Sequence, residues 1–436
     1  MNSVALVILW DGAAEGLARY LQSCQWQLAG ADGLYVVRSG AGCEQNAGPA
    51  EFSSLAACAE AITQDLAIVL TPRVLLAPFI LAHLRPLTVG LGVLLGARRW
   101  VEGAHAGYSN PASSPPGPAE RAGTLPSQFV FHPQLLRRVA NDLPTECWPR
   151  ELPAWLAREK LHAPRSPLPI VYERRGRPAP RGPVGVVITV FSEPESYLRR
   201  AVASCWHQLE PGDDLVVVKG AGGAADLRCL DPVGFPGLRL LEDDSLEVGG
   251  GRNAGLRLTT APWIKFLDGD DVLAPYALEA LAEPVPDQVQ VLYGGMVFLR
   301  DGRYWKLQPA AGVNLECLPY WNPFVPAPTL IRRQGLLEVG AFDPAIGFEE
   351  DYDLWLRFAQ RGGLEAFAPL PQVLAYYWAE SERRSVALRR RRYLVEGLPV
   401  RDYFRRRYGV ECVFHEHCPQ AGGLPLEGRR PPVTVA

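Results

Sequence analysis

The sequence predicts an α/β protein that contains two tandem copies of one domain, each built on a mostly parallel sheet. Two observations predict this fold class: an internal repeat, and a strand, helix, strand pattern that opens each copy. The chain has 436 residues, of which 48% are hydrophobic and 21% charged. This length and composition are typical of a globular protein with two domains rather than one.

The repeat relates residues 4–42 to residues 185–223 at a constant offset of 181. Later matches keep the same order along the chain, so we interpret the halves as two copies of one domain. The residues that meet an identical residue at this offset are Leu17, Arg19, Ser23, Cys24, Gln27, Leu28, Asp32, Leu34, Val36, Val37 and Gly42. The later matches are 76–78 with 273–275 and 155–156 with 355–356.

Each copy opens with an apolar run of strand length, at Val4 to Trp10 and at Val184 to Phe191. A helical segment follows, at Ala13 to Leu28 and at Glu195 to Leu209, and then a second apolar run. This spacing is typical of a parallel sheet that is buried on both faces. In such sheets ligands bind at the carboxyl ends of the strands.

These patterns divide the chain into four predicted segments. The first copy covers residues 1–162, and the second covers residues 184–380. Between them, residues 163–183 are rich in Pro, Arg and Gly and are predicted to be an unfolded linker. Residues 381–436 form a C-terminal extension.

Composition excludes several classes of function. Lys and Arg number 44 against 47 Asp and Glu, a net charge of −3, so no overall basic field indicates a nucleic-acid binder. Charged residues and prolines interrupt the most apolar stretch, Leu66 to Leu95, which argues against a membrane-spanning helix. The first residues carry no signal-peptide pattern, and nine cysteines without a CxxC pair indicate reduced thiols. We therefore predict a cytoplasmic location.

In the second copy, three carboxylates follow an apolar strand. The strand Trp263 to Leu267 runs into Asp268-Gly269-Asp270-Asp271. Their mutual repulsion is unfavourable unless a cation neutralises it, and Mg²⁺ or Mn²⁺ prefers carboxylate and phosphate oxygens. The alternative is a solvated acidic turn, because Asp-Gly is also ordinary turn chemistry.

A second acidic pair, Glu350-Asp351, opens a predicted helix about eighty residues later. Acidic residues in a first turn are favoured by the helix dipole whatever the function. Beside a metal cluster, such a carboxylate is also suited to take a proton from a hydroxyl nucleophile.

Residues 184 to about 380 resemble a family 2 glycosyltransferase of the GT-A fold, which is Rossmann-like. Three motifs carry the resemblance, in the family's order. Residues 251–255, GRNAG, resemble its Arg-Asn-x-Gly segment, residues 266–271 its DxD motif, and residues 350–357 its catalytic ED helix.

The resemblance implies a metal-dependent, inverting transfer from a nucleoside-diphosphate sugar, with a UDP-sugar first, to an acceptor hydroxyl. It implies that Asp351 is the general base with Glu350 beside it, and that Mn²⁺ or Mg²⁺ binds at Asp270, Asp268 and the adjacent Asp271. The residues expected to bind the donor are Thr189, Phe191, Glu193, Arg252, Asn253, Asp268 and Lys219.

The sequence departs from the family in two places. Lys219-Gly220-Ala221-Gly222 stands where the family usually has an acidic segment that contacts the nucleobase, and Tyr376 to Glu380 replaces an Arg-x-His stretch, for which Arg383 or Arg384 are candidate substitutes. In the first copy, residues 71–74 (TPRV) align with the acidic cluster. We therefore expect the first copy to be degenerate and non-catalytic.

The C-terminal extension mixes arginines with aromatic residues, among them Arg389 to Arg392, Tyr403, Phe404 and Arg405 to Arg407. Three readings stay open: contact with an anionic membrane that carries a lipid-linked acceptor, contact with a nucleic-acid backbone, or packing on the catalytic domain. Cys412, His415, His417 and Cys418 suggest zinc, but they are crowded into seven residues without the usual ligand spacing.

A different class of function is also compatible with these features: a non-catalytic module that binds a sugar or a nucleotide sugar. Lys219 and the missing Arg-x-His stretch favour this alternative. The intact acidic residues favour the enzyme, since both carboxylate sites persist in one copy and are absent from the other. The acceptor, whether glycan, lipid-linked glycan, protein or nucleic acid, stays open.

Overall fold

A computed structural model provides the coordinates. It describes residues 3–10, 14–28, 30, 32–38, 50–52, 54–71, 74–84, 93–102, 105–109, 129–143, 148–159, 165–174, 180–191, 193–221, 226–230, 235–300, 303–320, 322–346, 349–378 and 404–409.

The first sheet has nine strands, in the order β3-β2-β1-β4-β8-β6-β9-β5, with β7 paired to β6. The four strands β3, β2, β1 and β4 are mutually parallel, and β8 runs antiparallel to both β4 and β6. The strands are β1 (Val4–Trp10), β2 (Gly33–Arg38), β3 (Ala50–Phe52), β4 (Leu66–Leu70), β5 (Val74–Leu76), β6 (Val93–Glu102), β7 (His105–Ser109), β8 (Phe129–Phe131) and β9 (Arg165–Arg174). The helices are α1 (Ala14–Gln25), α2 (Leu55–Ala61), α3 (Ile80–Leu84), α4 (Pro133–Asp142) and α5 (Trp148–Arg158).

The second sheet repeats this arrangement, in the order β12-β11-β10-β13-β17-β15-β18-β14, with β16 paired to β15. Every strand thus has a counterpart in the first sheet. The strands are β10 (Val184–Val190), β11 (Asp214–Lys219), β12 (Leu238–Glu242), β13 (Trp263–Asp268), β14 (Val272–Leu273), β15 (Val291–Arg300), β16 (Arg303–Gln308), β17 (Thr329–Arg332) and β18 (Phe367–Trp378). The helices are α6 (Glu195–Trp206), α7 (Val248–Arg257), α8 (Arg333–Glu338) and α9 (Glu350–Gly362). Within the described part of this half, 3-10 turns lie at Leu227–Cys229, Ala277–Ala282, Ala310–Gly312, Leu315–Cys317 and Leu364–Ala366.

The registers of the paired strands show that the offset between the two copies differs by one residue from the predicted value at the start of the repeat. Ile8 pairs with Leu70, and Ile188 pairs with Leu267, so β1 corresponds to β10 at an offset of 180. Helices α1 and α6 correspond at the predicted offset of 181. The ungapped alignment is therefore wrong before the first helix, because a shift of one residue in a strand would exchange its two faces. Thr71 still corresponds to Asp268.

The predicted linker is also partly wrong. Residues 165–174 form β9, which pairs with β6 and β5 inside the first sheet. Pro167 and Pro169 cannot donate to a strand ladder, but the register of β6 and β9 shifts at this point, which accommodates them. The same Pro-Leu-Pro triplet recurs at 369–371 in β18, where the register also shifts. That recurrence is the sequence signal that identifies β9.

One apolar core extends across both halves. It contains Val4, Leu6 and Ile8 from β1 together with Val184 and Val186 from β10, all fully buried. The opposite faces of the two sheets have separate cores. The two halves are thus packed face to face through a shared interior rather than joined only by the chain.

Equivalent residues meet where the halves touch. Leu75 pairs with Tyr172 in the first sheet, and Val272 pairs with Tyr376 in the second, so the two tyrosines occupy equivalent positions. Their buried hydroxyl oxygens are 2.6 Å apart and share a hydrogen bond. The contact of a residue with its own counterpart indicates that the halves are related by an approximate two-fold axis.

We expect Tyr172→Phe to lower the free energy of unfolding by about 1 kcal/mol, because it removes one partner of a buried hydrogen bond. The double variant Tyr172→Phe/Tyr376→Phe should lose less than the sum of the two single variants, since both hydroxyls then leave together. Urea unfolding of the four proteins measures this coupling. Strictly additive losses would contradict the assigned bond.

The described residues bear on two further expectations. Among them, no helix is both long and apolar enough to cross a membrane. The five cysteines that the structure describes, Cys24, Cys58, Cys205, Cys229 and Cys317, are all buried and free of disulfides. Burial raises the pKa of the Cys24 thiol to about 11, so it is held as a neutral thiol.

Candidate active site

The predicted site residues converge at the carboxyl edge of the second sheet. Strands β10, β11 and β13 are adjacent and parallel, so their ends lie side by side. Asp268 at the end of β13 pairs with Thr189, and Lys219 at the end of β11 pairs with Val190. Three chain segments that are distant in sequence therefore open onto one crevice, as the parallel pattern predicted.

Helix α7 lies directly against β10 because it is rich in glycine. A side chain at Gly255 would clash with Val187, so only glycine allows this approach. The close packing brings Arg252, one helical turn earlier, to the carboxyl edge of the sheet. The Arg252 side chain is only 3% exposed.

Arg252 joins the two predicted carboxylate sites. Its Nη2 donates to Asp268 Oδ1 at 2.9 Å, and its Nη1 donates to Glu350 Oε1 at 2.6 Å. Burial alone would lower the pKa of the guanidinium, but the charges of Asp268 and Glu350 outweigh it and raise the pKa above its ordinary value. One buried cation thus connects the end of β13 with the start of α9.

Asp351 lies in the first turn of α9 and is only 7% exposed. Burial and the neighbouring charge of Glu350 raise its pKa to about 7, although Arg252, Asn322 and the backbone N–H of Tyr352 favour the ionised form. A carboxylate with a pKa near neutrality can accept a proton during turnover and release it to solvent afterwards. This property fits the predicted general base.

The acidic loop after β13 separates its three carboxylates. Asp268 is 30% exposed and Asp270 is partly exposed, whereas Asp271 is fully buried. Asp271 Oδ1 accepts a hydrogen bond of 3.2 Å from the backbone N–H of Trp378. Asp271 therefore anchors the loop to β18 through Oδ1, and its role as a third metal ligand stays a prediction.

The carboxylates of Asp268 and Asp270 fit a divalent ion that takes its other ligands from the oxygens of a bound phosphate group. No three His, Cys, Asp or Glu side chains among the described residues are placed to hold a metal by themselves. Asp268 and Asp270 offer two carboxylates at the crevice, and Mg²⁺ or Mn²⁺ commonly binds through one or two carboxylates together with phosphate. Asp268 and Asp270 thus stay predicted metal ligands.

Two predicted donor-binding residues, Thr189 and Asn253, hold neighbouring parts of the site in place. Thr189 is buried, and its hydroxyl donates to Asp268 Oδ1 at 3.2 Å. Asn253 makes two hydrogen bonds to the backbone of Phe342, at 2.7 and 3.0 Å. These contacts orient Asp268 and fix the loop before α9, which gives both residues a structural task in the crevice wall.

Three others lie at or just after the ends of β10 and β11. Phe191 follows β10, and its backbone N–H donates to Glu193 Oε2 at 2.6 Å. Lys219 lies 3.4 Å from Glu242 Oε2. A side chain at residue 220 would clash with Phe191, so Gly220 lets the chain turn close to that ring.

Lys265 has a role that the sequence analysis did not assign. It is fully buried on β13, where its ammonium donates to the carbonyl oxygens of Ala327 and Thr329. Burial lowers the pKa of Lys265 to about 7. A lysine within the apolar run 263–267 was the available signal, because a buried lysine needs acceptors.

The described part of the C-terminal extension packs on helix α9. Phe404 is fully buried, with its ring centroid 4.9 Å from that of Tyr352. The Tyr408 hydroxyl donates to Asp353 Oδ1, and Arg407 forms a 3.0 Å ion pair with Asp343. At 404–409 this matches the packing alternative. Arg383, Arg384, Arg389 to Arg392 and the residues from Cys412 to Cys418 lie outside the described residues.

Comparisons with known proteins point to one family. Residues 185–352 match the family model described as Glycosyl transferase family 2. The chain is similar to the amylovoran biosynthesis glycosyltransferases AmsB and AmsE of Erwinia amylovora, with 26% identity over 210 residues and 24% over 201. These matches cover 44% and 45% of this chain and 68% and 65% of the relatives.

A glycosyltransferase of Rickettsia felis described as uncharacterized is 23% identical over 188 residues, which are 40% of this chain and 31% of the relative. The chain thus spans from about a third to two thirds of these relatives. Crystal structures of S. aureus TarS 1–349, alone and with UDP-GlcNAc, align with TM-scores of 0.38 and 0.36 at 16% and 17% identity. Each alignment covers 45% of this chain, and the two cover 60% of the TarS chain alone and 58% of the TarS chain with UDP-GlcNAc.

Proposed function

We propose that this chain, whose residues 185–352 form a family 2 glycosyltransferase domain, transfers a sugar from a nucleoside-diphosphate sugar to an acceptor hydroxyl. The observation that carries the proposal is the bridge made by Arg252. It holds Asp268, at the end of a sheet strand, and Glu350, beside Asp351, around one crevice. The donor side and the acceptor side of a transfer reaction are thereby held together.

The donor side is formed by the acidic loop. Asp268 and Asp270 are the proposed ligands of Mn²⁺ or Mg²⁺, which when bound would neutralise charge on the diphosphate. Asp268 is oriented by Thr189 and Arg252, so its carboxylate is positioned before any ligand arrives. Such preorganisation reduces the cost of ordering the site on binding.

The acceptor side is formed by Asp351. In the proposed single displacement, the acceptor oxygen bonds to the anomeric carbon as the bond from that carbon to the diphosphate oxygen breaks. The hydroxyl proton passes to the Asp351 carboxylate, and the configuration at the anomeric carbon is inverted. Glu350 is committed to Arg252, which leaves Asp351 as the carboxylate for this proton.

The chemistry is tested with a panel of nucleotide sugars, UDP-sugars first, in the presence of Mn²⁺ or Mg²⁺. Thermal shift would identify the donor that binds, and release of nucleoside diphosphate would report turnover. Oligosaccharides are the first acceptors to try, because two relatives are named for synthesis of amylovoran. Binding without release for every acceptor and metal would favour the non-catalytic binding module instead.

We expect Asp270→Asn to weaken metal-dependent binding of the nucleotide about tenfold or more, since it removes a charged ligand oxygen. Calorimetry with and without a chelator measures the effect. Asp287→Asn is the matched control, because Asp287 is fully exposed and lies outside the acidic loop. Equal affinity for Asp270→Asn and the wild type would remove Asp270 from the metal site.

A further inference from the structure

The interface between the halves reaches the acidic loop of the second half. Phe79, in the first half, is 8% exposed and adopts a left-handed backbone conformation with φ 61°. Its counterpart in the second half, Tyr276, has φ 62°. Non-glycine residues in this region are strained and persist only where their surroundings hold them. Each therefore has a fixed place at the interface.

The two counterparts contact different partners across the interface. The Phe79 ring lies edge-on to Trp378, with centroids 5.2 Å apart. Tyr276 instead lies under the guanidinium of Arg174, at 5.4 Å, and Arg174 also pairs with Glu279. Tyr172 in β9 and Tyr376 in β18 pair with the equivalent strands β5 and β14. Arg174 and Trp378 each lie two positions after these tyrosines, so they are counterparts too. The approximate symmetry is thus broken at this pair.

Trp378 leads directly to the acidic loop. Its backbone N–H donates to Asp271 Oδ1 at 3.2 Å. The guanidinium of Arg200 stacks on the Trp378 ring at 4.3 Å and on the Phe79 ring at 4.9 Å. Arg200 also donates to the backbone oxygen of Asp270 at 3.1 Å. Both anchors of the loop therefore contact the Phe79 ring, and on the side of the second half both also contact the Tyr197 ring.

We propose that Phe79 is a positioning residue for the acidic loop, through which the first half holds the ligand-binding carboxylates of the second half in place. The proposal rests on the proposed function for its consequence, the binding of nucleotide with metal. Without the ring, Arg200 and Trp378 lose a packing surface, and two of the contacts that hold the 268–271 turn are weakened. The first half, although it has Thr71 where the second has Asp268, thereby contributes to the site.

The test compares three variants of the full chain. Phe79→Ala should weaken binding of UDP with Mn²⁺ about tenfold by calorimetry, the usual size of an effect from a residue behind the ligands. Phe79→Tyr keeps the ring and introduces the residue type of its counterpart Tyr276, so this variant should bind as the wild type does. Arg174→Ala is the matched control, because it removes an interface contact that does not lead to the loop.

A second measurement separates this proposal from the proposed function. Hydrogen exchange at the amides of Gly269 and Asp271, which donate to Thr189 and Asp268, should speed up in Phe79→Ala and stay unchanged in Arg174→Ala. This readout needs no nucleotide, so it remains decisive if UDP does not bind the wild type. Where Phe79→Ala does not fold, Phe79→Leu, which keeps apolar volume without a ring, takes its place. Unchanged exchange at both amides, or equal acceleration in Arg174→Ala, would overturn the proposal.

Discussion

Asp351→Asn is expected to lower the rate of sugar transfer by about 10² or more while the donor still binds, because the amide cannot accept the acceptor proton. The substitution keeps the size of the side chain, and the neighbouring bridge between Arg252 and Glu350 stays intact. Single-turnover rates and donor affinity by calorimetry measure the two effects separately. Comparable turnover by the variant would place the base elsewhere.

The pH dependence follows from the same carboxylate. The pKa of Asp351 is raised to about 7, and only the ionised form accepts a proton, so the rate should rise with pH up to about 7 and then level off. Between about pH 4 and 7 the folded protein keeps a proton on Asp351. The unfolded chain, in which Asp has a pKa of about 3.9, has already lost that proton. The stability linked to Asp351 therefore falls as pH rises from about 4 through 7. Asp351→Asn should abolish both dependences.

Glu350→Gln decides which carboxylate is the base. The charge of Glu350 contributes to the raised pKa of Asp351, so its removal should move the rising limb of the pH profile to lower pH. If Glu350 were the base, Glu350→Gln would instead abolish transfer at every pH. The two outcomes are distinguishable in one set of pH-rate profiles.

Arg252→Ala is expected to lower the free energy of unfolding by about 3 kcal/mol and to abolish donor binding. Removing the guanidinium leaves two carboxylates facing each other with no cation between them, and breaking a buried ion pair from one side is strongly destabilising. The expected loss lies at the lower end of the usual range because Asp268 is partly solvated. Denaturant unfolding and calorimetry with the preferred donor measure the two effects.

Arg181→Ala is the matched control. Arg181 and Asp213 form a buried ion pair, each side chain 1% exposed, at the start of β10 and so at the opposite edge of the sheet from the crevice. Loss of this ion pair should lower the free energy of unfolding about as much as Arg252→Ala does. The donor affinity of the folded protein should stay unchanged. Arg252→Lys keeps the charge but cannot bridge both carboxylates, so it should recover stability better than binding. Donor binding that survives Arg252→Ala would contradict the assigned bridge.

The sequence by itself determined the elements of the second half and predicted the family that it resembles. Buried runs such as Val184–Val190 are apolar on both faces, which only a covered parallel sheet requires. Because parallel strands end at one edge, the sequence pattern alone places the motifs at Asp268 and Lys219 together. The helix carrying Asp351 was likewise evident from its local pattern. These conclusions depend on periodicity and motif order, which are properties of short segments.

The tertiary structure alone decided which side chains face the crevice. Asp270 and Asp271 are neighbours in sequence, yet one reaches the surface and the other is buried against Trp378, because the turn of the loop directs them differently. The place of β9 depended on a sheet partner seventy residues away, which tolerates its prolines at a shift in register.

The bridge made by Arg252 and the contact of Phe79 with Trp378 were likewise decided by the tertiary structure. They join residues 98 and 299 positions apart in sequence, from Arg252 to Glu350 and from Phe79 to Trp378. Local propensity and hydrophobic periodicity act over a few residues and contain no information about such pairs. Helices α7 and α9 share one core of the second half, which brings Arg252 to Glu350, whereas packing of the two sheets around a shared core brings Phe79 to Trp378.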